Sequence, residues 1–332
     1  MRPQFNVENY SRCIPIIFSI QLDNDHFDTP FDISHKNAYT YVHSSTSPSL
    51  VPPRFPPAMA KPVILGLHGY MQDGDIYRSR IGSVRRIFKS RAEFAFLDGP
   101  YPAATAGTSK LMANVLEDLQ ARTPTTEITE VPGRSWWTWA DEVDRPSQAK
   151  TYRGVGQSLK DLSAALHQHS PVGVIAFSQG AALMAILLAM AQPRANINRT
   201  DAIEVQAFLD EEMGAGWDET LPPLPRFVVL VGGFLANDDR WAEVVKARGV
   251  GVGGGLRVLC VSGEKDELVV PEKSRALWAC MEEQVAEWWP HPGGHMVPTG
   301  GGEFKVRLRS LWAETVEAAE GAGVAVGRGR AE

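Results

Sequence analysis

An unbroken apolar run, Val172 to Phe177, stops at Ser178 and is followed at once by a second apolar stretch from Gln179 to about Ala191. The first run has the length of a buried strand and the second that of a helix, so a single residue must turn the chain from one to the other. A turn that tight tolerates only small neighbours, because a large Cβ beside it would strike the adjoining strand or helix. Ala176 and Gly180 meet that demand in Ile175-Ala176-Phe177-Ser178-Gln179-Gly180. Ser178 is therefore read as a nucleophile lifted above a sheet. The plainer alternative is that it only caps the helix behind it.

The rest of the chain supplies the sheet. Apolar runs at Pro62 to Leu67, Phe94 to Leu97, Phe227 to Val231 and Leu256 to Val261 alternate with stretches of helical spacing, such as Ile76 to Lys89. Strands separated by helices pair in parallel through right-handed crossovers. The expected fold is a doubly wound, mostly parallel α/β sheet with helices on both faces. Three segments interrupt the alternation: Ala103 to Asp144, Gln192 to Pro225, and the glycines before Leu256. Insertions at the carboxyl ends of strands are where such folds build substrate sites, so the first is expected to form a lid or pocket wall.

Residues 1–60 differ in kind. Serine and proline gather at Ser44 to Ser49 and again at Val51 to Pro57, a composition that offers little to bury against the entropy of ordering. A flexible or poorly ordered leader over 1–60, a catalytic domain over 61–316 and a flexible Gly/Ala-rich tail over 317–332 are expected. A net charge of −6 without long runs of one sign gives no basic face for a nucleic acid. Cys13, Cys260 and Cys280 lack zinc or redox spacing and are read as reduced thiols of a cytoplasmic protein. The run Ile14 to Ile20 is too short to span a membrane. The oligomeric state is left open.

A serine nucleophile needs a base, nearly always histidine, and that base needs an acid to orient it. Of eight histidines, His291 and His295 follow the last predicted strand. His291 lies between two prolines, whereas Gly293 and Gly294 let the loop bring His295 back over the sheet. Asp266 in Ser262-Gly263-Glu264-Lys265-Asp266 is the expected acid, with Glu264 second. The order Ser178, Asp266, His295 is the one found in α/β-hydrolases. The backbone N–H of Gln179, opening a helix, and that of Tyr70, in the loop after the first strand, are the expected oxyanion donors. His68 is expected to shape that loop.

Glycines 249, 251 and 254 match a dinucleotide fingerprint only on paper, since they precede a strand instead of following one. The histidine pair has no further ligands at zinc spacing. Leu111, Met112 and Trp136 in the first insertion point to a hydrophobic acyl pocket, although Trp136, Trp137 and Trp139 could equally anchor the insertion to the core.

Taken together, Leu67-His68-Gly69-Tyr70-Met71-Gln72, Phe94 to Pro100, Arg134-Ser135-Trp136-Trp137, Phe177-Ser178-Gln179-Gly180, Ser262 to Asp266 and Gly293 to Pro298 resemble the FSH serine hydrolases. The resemblance runs from about Lys61 to Trp312. It implies the α/β-hydrolase fold, no metal or organic cofactor, and cleavage of an ester or thioester, the acyl substrate being a small molecule or carrier-bound. It carries the triad onto Ser178, Asp266 and His295. Ala176 departs from the family's usual glycine. Acyl-protein thioesterases and carboxylesterases share the His-Gly and Phe-Ser-Gln-Gly strings, and a non-catalytic binding protein on the same fold is the remaining alternative.

Overall fold

The computed structural model describes residues 61–192, 199–251, 255–298 and 302–319. The expected leader over 1–60, together with Cys13, lies outside the described residues.

The chain opens with β1 (Val63–Leu67), which leads through α1 (Gly74–Arg80) and α2 (Gly82–Phe88) to β2 (Glu93–Leu97). The first insertion carries β3 (Tyr101–Pro102), α3 (Ser109–Arg122), β4 (Arg134–Ser135), β5 (Thr138–Trp139) and β6 (Tyr152–Arg153). Then follow α4 (Val155–His169), β7 (Gly173–Phe177), α5 (Gln179–Met190), α6 (Arg199–Met213) and β8 (Phe227–Val231). The rest comprises α7 (Asp239–Arg248), β9 (Arg257–Gly263), α8 (Pro271–Trp278), β10 (Ala286–His291) and α9 (Gly302–Trp312).

Six strands form one parallel sheet in the order β10-β9-β8-β7-β1-β2. Side chains alternate across it, so each strand feeds two cores. Leu65, Leu67, Val174, Ala176, Val228 and Leu230 face the core built with α4, α5 and α7. Ile64, Ile175, Phe177, Val229 and Val231 face the core built with α1, α2 and α9. Helices thus cover both faces, as a sheet of near-continuous apolar strands requires. All twelve residues of α5 are buried, which explains a helix with no polar side.

The fold departs from the sequence expectations in four places. Helix 76–89 is two helices, because the chain breaks at Ile81 (φ −92°, ψ 22°) just before Gly82, and the first begins earlier, where Asp73 caps it by accepting the Ile76 N–H at 2.7 Å. The interruption at Gln192 to Pro225 contains α6. A sixth strand, β10, has no counterpart among the expected strands. The last helical segment continues to residue 319, into the expected tail, with Glu317 paired to Arg91 at 3.2 Å. Of the glycine run, residues 252–254 lie outside the described residues, and the remainder follows α7 and precedes β9. Cys260 is buried and Cys280 half-buried, both as free thiols, and burial pushes Cys260 up to about 12. Among the described residues no helix is long and apolar enough to cross a membrane.

From β1 the chain first moves outward to β2 and then returns to β7 on the other side of β1. The helices that follow β1 and β7 therefore lie on opposite faces, and the loops leading to them meet at the carboxyl ends of the strands, where such folds place their sites. Both loops carry residues singled out in the sequence.

Candidate active site

Ser178 directly follows β7 with φ 52° and ψ −116°, backbone angles that a residue with a Cβ adopts only when its surroundings force it. Its N–H donates to Val231 O at 2.8 Å, and its carbonyl takes the Ala182 N–H of α5. Close packing enforces the turn. A Cβ on Gly180 would lie 2.5 Å from His68 O, and one on Gly69 would lie 3.2 Å from Ser178 Cβ and 2.9 Å from the Phe177 ring. The loop after β1 is thus pressed directly against Ser178, and the Gln179 N–H is the first of α5, without a carbonyl one turn back to accept it.

Ser178 Oγ lies 2.8 Å from His295 Nε2, and His295 Nδ1 lies 2.7 Å from Asp266 Oδ2. The imidazole rests on the Phe177 ring at 4.7 Å, in space left by Gly232, where a Cβ would come within 3.0 Å of it. The Asp266 side chain is buried, and its other oxygen accepts the N–H groups of Leu268 and Val269 at 3.0 and 2.8 Å. Glu264, the second choice for the acid, is exposed. Two backbone hydrogen bonds hold the loops bearing acid and base together: Glu264 N–H to His291 O at 2.8 Å and Lys265 N–H to Gly293 O at 3.0 Å. At Gly294 this approach leaves little room, a Cβ there lying 3.3 Å from Lys265 O. A Cβ on Gly293 would lie 3.0 Å from the His291 ring, and neither glycine has a positive φ.

His291 is buried at the end of β10, where its Nδ1 accepts the Gly293 N–H at 3.2 Å and burial lowers its pKa. His68 is fully buried in the loop after β1. Its Nδ1–H donates to Gly69 O at 2.7 Å while its Nε2 accepts the Gly99 N–H at 2.9 Å, which fixes the neutral tautomer, and burial lowers its pKa. Neither histidine hydrogen-bonds to Ser178. Among the described residues no group of three or more His, Cys, Asp or Glu is arranged to hold a metal ion.

The expected pocket wall needs correction. Leu111 and Trp136 are fully buried, and Trp137 and Trp139 nearly so, so all four belong to the core. Only Met112 of the three expected pocket residues is partly exposed. The side chain of Gln179, which nothing in its local sequence singles out, is also buried: its Oε1 accepts the Trp136 N–H at 2.9 Å, and its Nε2 donates at 3.1 Å to Ser135 Oγ, whose own proton goes to Trp137 O. The Ser-Trp-Trp string is the only hint of that contact in the sequence.

Residues 58–304 match the family model described as serine hydrolase (FSH1). The chain belongs to the FSH1 serine hydrolase family. Relatives of this FSH1 member include esterase OVCA2 of Bos taurus, 28% identical over 252 residues that span 75% of this chain and 94% of the relative. Human esterase OVCA2 is 27% identical, over 75% of this chain and 94% of its own. Among solved structures, Arabidopsis thaliana SOBER1 is similar with 16% identity and a TM-score of 0.47, covering 76% of this chain and 97% of that one. Zea mays acyl-protein thioesterase 2 follows with 17% identity and a TM-score of 0.42, covering 77% and 96%.

Proposed function

We propose that this FSH1 hydrolase cleaves a carboxylic ester or thioester through an acyl-enzyme on Ser178. The observation that carries the reading is the continuous hydrogen-bonded chain from Ser178 Oγ through His295 to Asp266, at 2.8 and 2.7 Å. His295 Nε2 takes the hydroxyl proton as Oγ attacks the substrate carbonyl, and Asp266 stabilises the imidazolium that forms. The N–H groups of Gln179 and Tyr70 receive the oxyanion of the tetrahedral intermediate. His295 then gives the proton to the departing alcohol or thiol, leaving the acyl group on Oγ. Water, deprotonated by His295, attacks that ester, and the acid leaves as Ser178 regains its proton.

A fluorophosphonate probe tests this directly. The reading expects one equivalent of adduct, located on Ser178 by peptide mass and absent from Ser178→Ala. No labelling of the folded protein would return it to the class of non-catalytic proteins on a hydrolase fold, and labelling elsewhere would move the nucleophile away from Ser178.

The acyl group is proposed to be uncharged and hydrophobic. Met296, which follows His295 in the chain, and Val270, shortly after Asp266, are large apolar side chains left exposed, 44% and 39%. Each methylene buried on such surface contributes about 0.8 kcal/mol, so kcat/KM for p-nitrophenyl esters should rise roughly fourfold per added methylene from acetyl until the site is full. A series in which acetyl is best and every added carbon slows the reaction would mean a small or polar site, and would leave the triad reading untouched. Palmitoylated peptide tested beside short esters separates a protein-thioesterase preference from a simple esterase.

A further inference from the structure

On the reading that the N–H groups of Tyr70 and Gln179 receive the oxyanion, we propose that Trp136 is a positioning residue that sets the spacing between those two donors. Trp136 is fully buried and stacks on the His68 ring at 4.8 Å, so it is not placed to touch substrate. All three of its polar groups are engaged. Its backbone N–H donates to Gln179 Oε1 at 2.9 Å, its indole N–H donates to His68 O at 2.8 Å, and its carbonyl accepts the Ser158 hydroxyl. One of these ties ends on the residue that carries the first donor. Another ends two residues before Tyr70, which carries the second.

The two donor segments meet each other by packing, and Trp136 supplies the hydrogen bonds that reach both. The His68 carbonyl is wedged against α5, where only a glycine fits at position 180, and the indole supplies it with an N–H that the packed helix cannot. The far side of the His68 ring is held by the Gly99 N–H, and Gly99 in turn lies against Ser135 and Trp136, where a Cβ would meet Ser135 O at 2.4 Å. Beyond Tyr70, the Met71 N–H donates to Arg134 O at 3.0 Å, which fastens the loop to the same segment from its other end. The loop after β1, the start of α5 and the 134–137 segment thus close into one ring of contacts with Trp136 at its centre. Losing the indole N–H leaves the buried His68 carbonyl unsatisfied, a state that the loop escapes only by shifting. A shift of about 1 Å in a group aimed at the reacting atoms can lower turnover by about 10²-fold.

The test compares Trp136→Phe with Trp137→Phe. Trp137 is the next residue and equally buried, but its indole N–H has no partner among the described residues. Trp136→Phe should lower kcat by roughly 10- to 100-fold with KM within about twofold. It should also weaken a trifluoromethyl ketone inhibitor, which forms the oxyanion, by the same factor that kcat/KM falls. Trp137→Phe should keep kcat and inhibitor affinity. Gln179→Met cuts the other tie while keeping the backbone N–H, and should give the same kcat-selective loss if Trp136→Phe does not fold. A folded Trp136→Phe protein with unchanged kcat and inhibitor affinity, or equal losses in the two tryptophan variants, would overturn the proposal. Ser178→Ala run alongside keeps the two readings apart. If it loses turnover while Trp136→Phe does not, only the positioning role falls; if it keeps turnover, both fall.

Discussion

Ser178→Ala should lower ester turnover by about 10⁶-fold, because nucleophile, base and acid act as a unit and removing the nucleophile forfeits nearly all that the unit supplies. Folding should survive. Alanine has the same Cβ as serine, so the packing that holds position 178 at φ 52° is unchanged, and the substitution removes the Oγ hydrogen bond to His295 and little else. One such bond contributes about 0.5–1.5 kcal/mol to stability, a shift of a few degrees at most in melting temperature. The measurement is kcat on a p-nitrophenyl ester together with a thermal melt. His295→Ala should match it in turnover, since a serine hydroxyl without a base is a poor nucleophile at neutral pH. A folded Ser178→Ala protein that keeps more than about a tenth of wild-type activity would exclude the serine as nucleophile.

How much of this is legible in the sequence follows from where each feature gets its stability. Strands β1, β7, β8 and β9 lie inside a parallel sheet, buried on both faces, and so read as plain apolar runs. Strand β10 lies at an edge and reads otherwise. Its sequence contains Glu287 and Pro290 and its burial is broken, which an edge tolerates because no further neighbour needs the N–H that proline lacks. The split between α1 and α2 is hidden because apolar spacing continues across Gly82, and a glycine inside a helical pattern is not by itself a stop.

The site divides in the same way. Ser178 and Asp266 are readable because each lies just past the carboxyl end of a strand that reads as an apolar run, whereas His295 is readable from chain order and the glycines before it, β10 itself being hidden. The tie between Gln179 and Trp136 spans 43 residues and depends on how the first insertion folds back over the sheet, which no local spacing encodes. Leu111 and Trp136 stay ambiguous in the sequence because residue type alone does not separate an apolar lining from an apolar core. Their full burial decides the matter.

Asp266→Asn should lower kcat by about 10⁴-fold, and the surroundings of the carboxylate explain why so small a change does so much. Asp266 Oδ1 accepts two backbone N–H groups, from Leu268 and Val269, while Oδ2 faces His295 Nδ1. An asparagine must keep its carbonyl oxygen toward the two amides, because the reverse orientation would set its NH₂ against two donors. Its NH₂ therefore faces Nδ1 and donates to it. The imidazole must then carry its proton on Nε2, toward Ser178, and in that tautomer it has no lone pair with which to take the hydroxyl proton. Burial of the side chain leaves water little room to relieve the mismatch. KM should change far less than kcat, because the variant alters a proton's position and not the substrate site. Glu264→Gln is the control: its carboxylate is exposed and only its backbone joins the loop contact, so activity should stay within about twofold of wild type. Asp266→Asn within tenfold of wild type, or Glu264→Gln as damaging as Asp266→Asn, would move the orienting acid away from Asp266.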